Sequence, residues 1–495
     1  MKKSFVIHPF LISIFPILFL FSHNIEEVYY SEIMLPLALM ISITILAGFV
    51  LRFIIHDYKK LGIILSVFFI IFFSYGHVHR LLPIKDRYLL LICGIVFICI
   101  TYFTVKAKKE LINITNTGNF IGILLVLISG INIGYYEIIK QNRTDDDQTN
   151  LIDSTNNSQL RDVYFIVLDG YANSTILKNI YKFNNDQFID HLKKKGFYVA
   201  SESQSNYVQT FLSLASTLNM EYVNYLKDMI GIDSKDRKVP YQMIKNSKVM
   251  KYLKSKGYKF IHFSSGWGAT DGNFSADLDF RNEKLNEFQM ILIRGTMLYP
   301  FLEQLHFFES KLRDRILNTF TKLAEIPKMK GAKFVFAHIM SPHPPYLFTS
   351  SGKTVKKINL NMSGSVWKEK DKYLNQLIFI NQKIKILVEE ILLKSKIPPV
   401  IILQADHGTA STFNDTCGWE CPTEINFKER TGILNTIYLP KNNINNLYDS
   451  ISPVNTFRLI FNFIFKTDYK LLNDRSYYSS ENHPYKFIEI THKIR

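Results

Sequence analysis

Residues 163–172 have the sequence VYFIVLDGYA, and this stretch is the clearest indication of the fold class. Its first six residues form a continuous β-branched and aromatic run, which is typical of a strand buried on both faces of a sheet. Similar runs follow at Phe260 to Phe263, Lys333 to Ala337, Val400 to Leu403 and Ile433 to Leu439. Amphipathic stretches lie between them, and residues 373–393 show the clearest helical spacing. Alternating strands and helices predict an α/β domain with a mainly parallel sheet.

Polar residues come at the ends of three of these strands. Asp169 follows the first strand, His338 ends the third with His343 five residues later, and Asp406 and His407 follow the fourth. In parallel α/β sheets, ligands bind beyond the carboxyl ends of the strands. Taken singly, an Asp-Gly pair is most often a turn and a lone His a structural residue. Taken together, carboxylate oxygens and imidazole nitrogens predict a site for Zn or Mn at this edge.

Residues 205–216, SNYVQTFLSLAS, have the pattern of a loop that opens into a helix. Thr210 would lie in the first turn, where free backbone N–H groups and the positive helix end stabilise an alkoxide and phosphate oxygens. A coordinated metal lowers the pKa of a hydroxyl further. The pattern leaves two interpretations open, a nucleophile and a plain N-cap or first-turn residue.

Five apolar runs precede residue 140, at about 4–22, 33–55, 61–78, 88–105 and 119–138. Each is near the ~20 residues that a helix needs to cross a bilayer. A cleaved signal peptide is the alternative for the first run, but no small-residue cleavage site follows it and four more runs do. Eight basic residues flank the runs on one side and three on the other, which predicts a cytoplasmic N-terminus. An odd number of spans then places everything after residue 140 outside the cytoplasmic membrane.

The composition fits this division. The first 140 of the 495 residues hold 12 Lys/Arg and 7 Asp/Glu, and the remainder hold 47 and 36. We therefore predict a transmembrane region at 1–140, a linker at 141–159 rich in Asp, Asn, Ser and Thr, and an extracytoplasmic domain at 160–495. Disorder and a disulfide-built miniprotein are excluded, because 47% of the residues are hydrophobic and only four are cysteines. The net charge of +16 suits an anionic surface or a nucleic acid, but base composition of a genome also enriches Lys, so charge alone assigns no partner.

The stretches VYFIVLDGYA, SNYVQTFLSLAS, HIMSPHPPY and ADHG, in this order, resemble the alkaline phosphatase/sulfatase superfamily over roughly residues 160–440. With its five-span anchor the chain is most similar to the membrane phosphotransferases typified by lipoteichoic acid synthase and the lipid A phosphoethanolamine transferases. The resemblance implies an alkaline-phosphatase-like α/β/α domain and one divalent metal, Mn or Zn with Mg as an alternative. It implies that Thr210 is the nucleophile, that His338 and His343 bind substrate, and that the metal ligands are Asp169, Thr210, Asp406 and His407.

The resemblance also implies an activity and a location. The chain would be a multi-pass protein of a bacterial-type cytoplasmic membrane. It would move a phosphoglycerol or phosphoethanolamine type of head group from a phospholipid donor to an envelope glycan or lipid. No nucleic-acid partner is expected. The alternatives are a sulfatase-like hydrolase of phosphoesters or sulfoesters with the same site, and a non-catalytic membrane binding protein.

Two features of the sequence differ from the family pattern and bear on which branch of the family the chain resembles. The membrane transferases usually have Glu where this chain has Asp169. No cysteine starts the C/S-x-P-x-R motif from which sulfatases make formylglycine, so sulfate ester hydrolysis by that route is not expected.

Cys417 and Cys421 flank three residues and predict a small disulfide loop outside the membrane rather than a metal site, although both being free is an alternative.

Overall fold

The chain divides into two units in the computed structural model, which describes residues 5–25, 28–82, 84–108, 111–144, 160–281, 286–440 and 447–494. The helical unit comprises Met1–Asn150 and Lys284–Phe308, and the α/β unit comprises Leu151–Glu283 and Glu309–Arg495. The predicted linker at 141–159 lies outside the described residues from position 145 onward. Residues 284–308 are therefore a second, separate contribution of the chain to the helical unit.

The helical unit begins with the helices α1 (His8–His23), α2 (Tyr30–Arg52), α3 (Tyr58–Leu81), α4 (Asp86–Lys106) and α5 (Ile112–Thr144). Among the described residues, four helices, α2 to α5, are long and apolar enough to cross a membrane. Only 11% to 39% of the apolar window of each is buried, so most of these side chains point outward, as lipid-facing residues do. The 16-residue α1 is shorter, and its crossing of the membrane stays a prediction.

Helix α1 packs against α2, α3 and α5. Ile17 and Phe21 of α1 are fully buried. At its start, the Asn119 side-chain oxygen accepts hydrogen bonds from the backbone N of Ile7 and His8 at 3.1 and 2.9 Å. These contacts satisfy backbone N–H groups that have no partner inside the helix, which matters most in an apolar medium.

The α/β unit is built on a seven-stranded sheet in the order β2-β7-β6-β1-β5-β3-β4. All neighbours pair in parallel except β7, which runs antiparallel to both β2 and β6. The predicted mainly parallel sheet is thus confirmed, with one antiparallel strand, β7, next to the edge strand β2. The strands are β1 (Val163–Leu168), β2 (Phe197–Val199), β3 (Lys259–Phe263), β4 (Leu278–Phe280), β5 (Lys333–Ile339), β6 (Val400–Gln404), β7 (Asn435–Tyr438) and, in a separate pair, β8 (Tyr477–Tyr478) and β9 (Ile488–Glu489).

Helices connect the strands and cover the sheet. The remaining helices are α6 (Ser174–Tyr181), α7 (Asp186–Lys194), α8 (Thr210–Asn219), α9 (Leu226–Ile230), α10 (Lys238–Lys245), α11 (Lys248–Ser255), α12 (Glu287–Arg294), α13 (Tyr299–Gln304), α14 (Phe307–Leu323), α15 (Lys370–Lys394), α16 (Glu424–Thr431), α17 (Pro453–Phe465) and α18 (Thr491–Ile494). Of these, α12 and α13 fall within the part of the chain that belongs to the helical unit.

Strand β1 shows why the sheet needs cover on both faces. Its residues alternate between two apolar cores, one containing Tyr164 and Leu168 and the other Phe165 and Val167. The first core also contains the apolar face of α15, and the second contains that of α8 and α17. Because all six residues of β1 are buried, the continuous apolar run is the expected signature of this three-layer packing.

Candidate active site

Three adjacent strands bring the predicted polar residues to one edge of the sheet. β1 lies between β5 and β6 and is parallel to both, so their carboxyl ends meet at the same edge. Asp169 follows β1 directly, His338 is the penultimate residue of β5, and Asp406 and His407 follow β6. This edge is where parallel α/β sheets bind ligands.

Two carboxylates meet the ring of His407 at the centre of this cluster. His407 Nε2 lies 3.4 Å from Asp169 Oδ1 and 3.3 Å from Asp406 Oδ2. Both carboxylates are buried, and within the described part of the chain neither of these two oxygens has a hydrogen-bond partner. Leaving a buried charged oxygen unpartnered costs several kcal/mol, so the arrangement calls for a cation.

Backbone carbonyls fix which nitrogen of two histidines faces the cluster. His407 Nδ1 lies 2.9 Å from the carbonyl oxygen of Gly408, and His343 Nδ1 lies 2.6 Å from that of Pro344. A carbonyl only accepts, so Nδ1 carries the proton in both rings and Nε2 of the neutral ring has a free lone pair. This is the usual way in which a protein orients a histidine that binds a metal.

His338 contacts the cluster from the β5 side. Its Nε2 lies 3.2 Å from Asp169 Oδ2, and its Nδ1 lies 2.8 Å from the hydroxyl of Thr270. Thr270 was not predicted as a site residue, because a single Thr in a loop carries no sequence signal. It fixes the orientation of the imidazole ring next to the carboxylate.

Thr210 is the first residue of α8 and faces the same cluster. Its hydroxyl lies 3.0 Å from His407 Nε2, and Gln209, not Thr210, occupies the N-cap position. The rest of α8, residues 211–219, is buried, whereas Thr210 is only half-buried. The hydroxyl of Ser213, one turn further, is held by a 2.7 Å bond to the carbonyl oxygen of Asp406. Thr210 is therefore the α8 hydroxyl that a substrate can reach.

The charges of the cluster shift the pKa of its members. Burial, with the negative charge of Asp169 beside it, raises the pKa of Asp406 to about 7. Burial opposes ionisation of Asp169 as well, but the neighbouring histidines, led by His343, hold the pKa of Asp169 below its ordinary value. Burial and the charge of Arg430 hold the pKa of His407 well below its ordinary value. The site thus shifts the pKa values of its two neighbouring carboxyl groups in opposite directions.

The donor set fits one divalent metal. One nitrogen or carboxylate oxygen from each of Asp169, His343 and His407 lies within 4.8 Å of the others, and the same holds for Asp169, His338 and Asp406. Buried oxygen and imidazole donors of this kind suit Zn and Mn. The unpartnered oxygens of Asp169 and Asp406 are the observation that supports the fit.

Arg430 joins the two loops that carry these residues. Its Nε donates to the carbonyl oxygen of Val208 at 2.9 Å, and its Nη1 donates to that of Gly408 at 2.8 Å. It is 5% exposed and its guanidinium lies over the ring of Trp419, 4.9 Å from the centroid. This role has no local sequence signal, because Arg430 lies in a charged run that resembles a solvated helix end.

Two local features hold the loops around Arg430 in place. A Cβ on Gly408 would lie 2.2 Å from the carbonyl oxygen of Glu429, so only glycine permits this close backbone contact. Cys417 and Cys421 form the disulfide loop that their spacing predicts, with Trp419 between them. The ring of Trp419 that covers Arg430 is therefore carried by a closed loop.

The fold and the site define a class: an α/β enzyme domain with a buried carboxylate and histidine cluster suited to a divalent metal. The family model described as Sulfatase matches residues 161–433, which is over half of the chain. The chain therefore belongs to the sulfatase family, and the resemblance to the alkaline phosphatase/sulfatase superfamily is confirmed. No curated protein matches the chain.

Solved structures similar to this chain include transferases and a hydrolase. Lipooligosaccharide phosphoethanolamine transferase A, an integral membrane protein of Neisseria meningitidis, is 11% identical over 92% of this chain and 95% of that chain, with a TM-score of 0.42. The C-terminal periplasmic domain of EcEptC from Escherichia coli is 12% identical over 67% and 93%, with a TM-score of 0.42. A phosphonate monoester hydrolase of Agrobacterium radiobacter is 10% identical over 64% and 80%, with a TM-score of 0.39.

Proposed function

We propose that the protein is a membrane-bound, metal-dependent transferase that moves a phosphate-linked head group from a phospholipid to a hydroxyl of an envelope glycan or lipid. The observation that carries the proposal is the position of Thr210. Its hydroxyl, on a half-buried residue, lies 3.0 Å from His407 Nε2, beside a cluster in which, among the described residues, Asp169 Oδ1 and Asp406 Oδ2 have no hydrogen-bond partner. The apolar helices of the same chain favour a donor that resides in the membrane.

The reaction would proceed in two displacements at phosphorus. Thr210 Oγ1 attacks the phosphodiester, the bond from phosphorus to the diacylglycerol oxygen breaks, and diacylglycerol leaves with a proton. An acceptor hydroxyl then attacks the phosphothreonine diester, the bond from phosphorus to Thr210 Oγ1 breaks, and Thr210 regains a proton. The head group has moved from lipid to acceptor with no net change in the enzyme.

The site residues have separate roles in this scheme. Asp169, Asp406 and His407, with the Thr210 oxygen, would hold the metal, which when bound lowers the pKa of the hydroxyl and neutralises charge on the phosphate. His338 and His343 would contact the phosphate or protonate the leaving oxygen. Helix α8 directs its N-terminal N–H groups toward the same region, which favours bound phosphate oxygens.

A hydrolase with water as acceptor is the second candidate, because water and a sugar hydroxyl use the same nucleophile and metal. The absence of the C/S-x-P-x-R motif counts against sulfate ester hydrolysis through formylglycine. A non-catalytic binding protein is less favoured, since buried carboxylate and histidine donors lie close together beside the Thr210 hydroxyl. The proposed location is a bacterial-type cytoplasmic membrane with the α/β unit on its outer side.

The test uses the full chain in vesicles of phosphatidylglycerol or phosphatidylethanolamine whose head-group phosphate is labelled. Transfer predicts diacylglycerol as the lipid product, label on wild-type protein, and passage of that label to an added glycan or lipid A acceptor. Label released only as free head-group phosphate would identify a hydrolase. Absence of diacylglycerol and of labelled protein, with metal bound and the fold intact, would refute the transferase and a hydrolase of these phospholipids.

A further inference from the structure

Residues 284–308 leave the α/β unit in sequence and join the helical unit. We call the described part, residues 286–308, the returning segment; it contains α12 and α13. Phe288 is 4% exposed and packs in an apolar cluster with Phe21 of α1 and Ile33 of α2. The side chain of Gln289 donates to the carbonyl oxygen of Glu32 at 3.1 Å, in the first turn of α2. The segment is thus attached to the end of the bundle at which α2 begins.

The returning segment also contacts the backbone of α3. Gly76 N donates to Gly295 O at 3.0 Å, and Met297 N donates to Phe72 O at 3.1 Å. In a regular helix Gly76 N and Phe72 O would bond to each other. A Cβ on Gly76 would lie 2.4 Å from the carbonyl oxygen of Arg294, so glycine is required for this approach.

The sequence of α3 shows at what depth this contact occurs. Residues 67–73 are all apolar, whereas the following eight residues include Ser74, His77, His79 and Arg80. A spanning helix changes from apolar to polar where the hydrocarbon ends and the head groups begin. The contact at residues 72–76 lies at this change, which predicts that the returning segment lies at the membrane surface.

Apolar side chains of the returning segment remain exposed at this depth. Ile291, Leu298, Phe301 and Leu305 are 46%, 48%, 54% and 75% exposed. The last three are spaced three and four residues apart, which places them on one side of α13 and its flanking residues. The spans likewise leave most of their apolar side chains exposed, as expected where the solvent is lipid.

We infer that the returning segment is an interfacial membrane element whose apolar side chains insert among lipid acyl chains beside the head groups. The occupant of this surface is the bilayer itself. Phe288, Gln289 and backbone groups of the segment attach it to the bundle, while its other apolar side chains stay exposed. The inference depends on the helical unit alone and holds for a transferase and a hydrolase equally.

The experiment places an environment-sensitive fluorophore on single cysteines of the full chain in lipid vesicles. Cys93 and Cys99 are first replaced by Ala, while the Cys417–Cys421 disulfide stays oxidised. Labels are attached to Phe301→Cys or Leu305→Cys. The matched control is Leu393→Cys, an 81% exposed leucine of the α/β unit. Quenching by a lipid spin-labelled near the head group is compared with quenching by aqueous iodide.

Labels at 301 and 305 should be quenched at least about fivefold more by the spin-labelled lipid than by iodide, and the label at 393 should show the opposite order. Equal iodide quenching at 301 and 393 would place the segment in water and overturn the inference. Protection from both quenchers would show that protein covers the surface, which also overturns it.

A glycine pair tests the attachment to α3. Gly76→Ala forces a Cβ against the backbone of the returning segment, whereas a Cβ on Gly94 of α4 meets nothing within 4 Å. Gly76→Ala should reduce lipid quenching at 301 and 305, and Gly94→Ala should leave it unchanged. Equal quenching in both variants would show that the contact at Gly76 does not position the segment.

Discussion

Thr210→Ala separates the nucleophile from its structural neighbours. The variant loses one neutral hydrogen bond, to His407 Nε2 at 3.0 Å, which is worth about 0.5–1.5 kcal/mol. The residue is half-buried and is not the N-cap, so the loss in the free energy of unfolding should stay within this order of magnitude. Removal of a nucleophile instead costs about 10⁴-fold or more in turnover, roughly 5.5 kcal/mol of activation free energy. Activity should fall far more than stability.

Ser213→Ala is the matched control in the same helix. Ser213 is fully buried and its hydroxyl donates to the backbone carbonyl of Asp406, so its loss should cost about 1–3 kcal/mol of stability. Because Ser213 does not face the substrate side, its activity loss should stay near tenfold or below. Thr210→Ser, which keeps a hydroxyl, should retain measurable turnover.

The assay measures diacylglycerol release from labelled phospholipid, thermal melting, and mass spectrometry of the peptide 207–220. Wild type given donor without acceptor should carry the phosphoryl adduct on Thr210. An adduct on Ser213 or Ser216, or turnover of Thr210→Ala within tenfold of wild type, would refute the assignment.

Asp406→Ala should lower bound Mn or Zn in elemental analysis and abolish turnover, because one of about four donors is lost; full metal content with normal turnover would contradict the donor set. A reporter active only outside the cytoplasm should be active when fused after Lys140 and inactive after Lys60, and the opposite pattern would reject the proposed orientation. Arg430→Lys should lower both kcat, by about tenfold or more, and the melting temperature, since one ammonium cannot replace two guanidinium bonds to separate loops; unchanged values would show that the bridge is dispensable. Despite burial, the hydrogen bond and charge of His262 hold the pKa of Asp279 at about 2, so Asp279→Asn should lower the melting temperature at neutral pH. That difference should vanish as pH falls from about 4, the unfolded pKa, toward about 2, and a difference that persists at pH 2 would count against the pairing.

The sequence predicts the central part of the sheet well, for a physical reason. β1, β5 and β6 are buried on both faces, so their residues form continuous apolar runs that stand out from their surroundings. Their parallel order then places Asp169, Asp406 and His407 together. The antiparallel direction of β7 has no such signal, because a strand of four residues has the same composition in either direction.

Residues whose role depends on distant contacts were not predicted. Arg430 bonds to carbonyl oxygens more than twenty and two hundred residues away, and nothing in its neighbours indicates that it is buried. The returning segment has the apolar spacing of an ordinary amphipathic helix, and its partners lie in helices over two hundred residues earlier. Local pattern shows that such a helix has an apolar side, but not which surface that side contacts.

The returning segment also affects the solubility of the α/β unit when that unit is prepared by itself. A fragment that starts at residue 160 would still contain residues 286–308, with Phe288 and its apolar neighbours cut off from α1 and α2. Such a fragment would expose an apolar patch to water and would tend to aggregate or require detergent. Replacing residues 284–308 with a flexible linker removes that surface. Trimming the N-terminus alone does not.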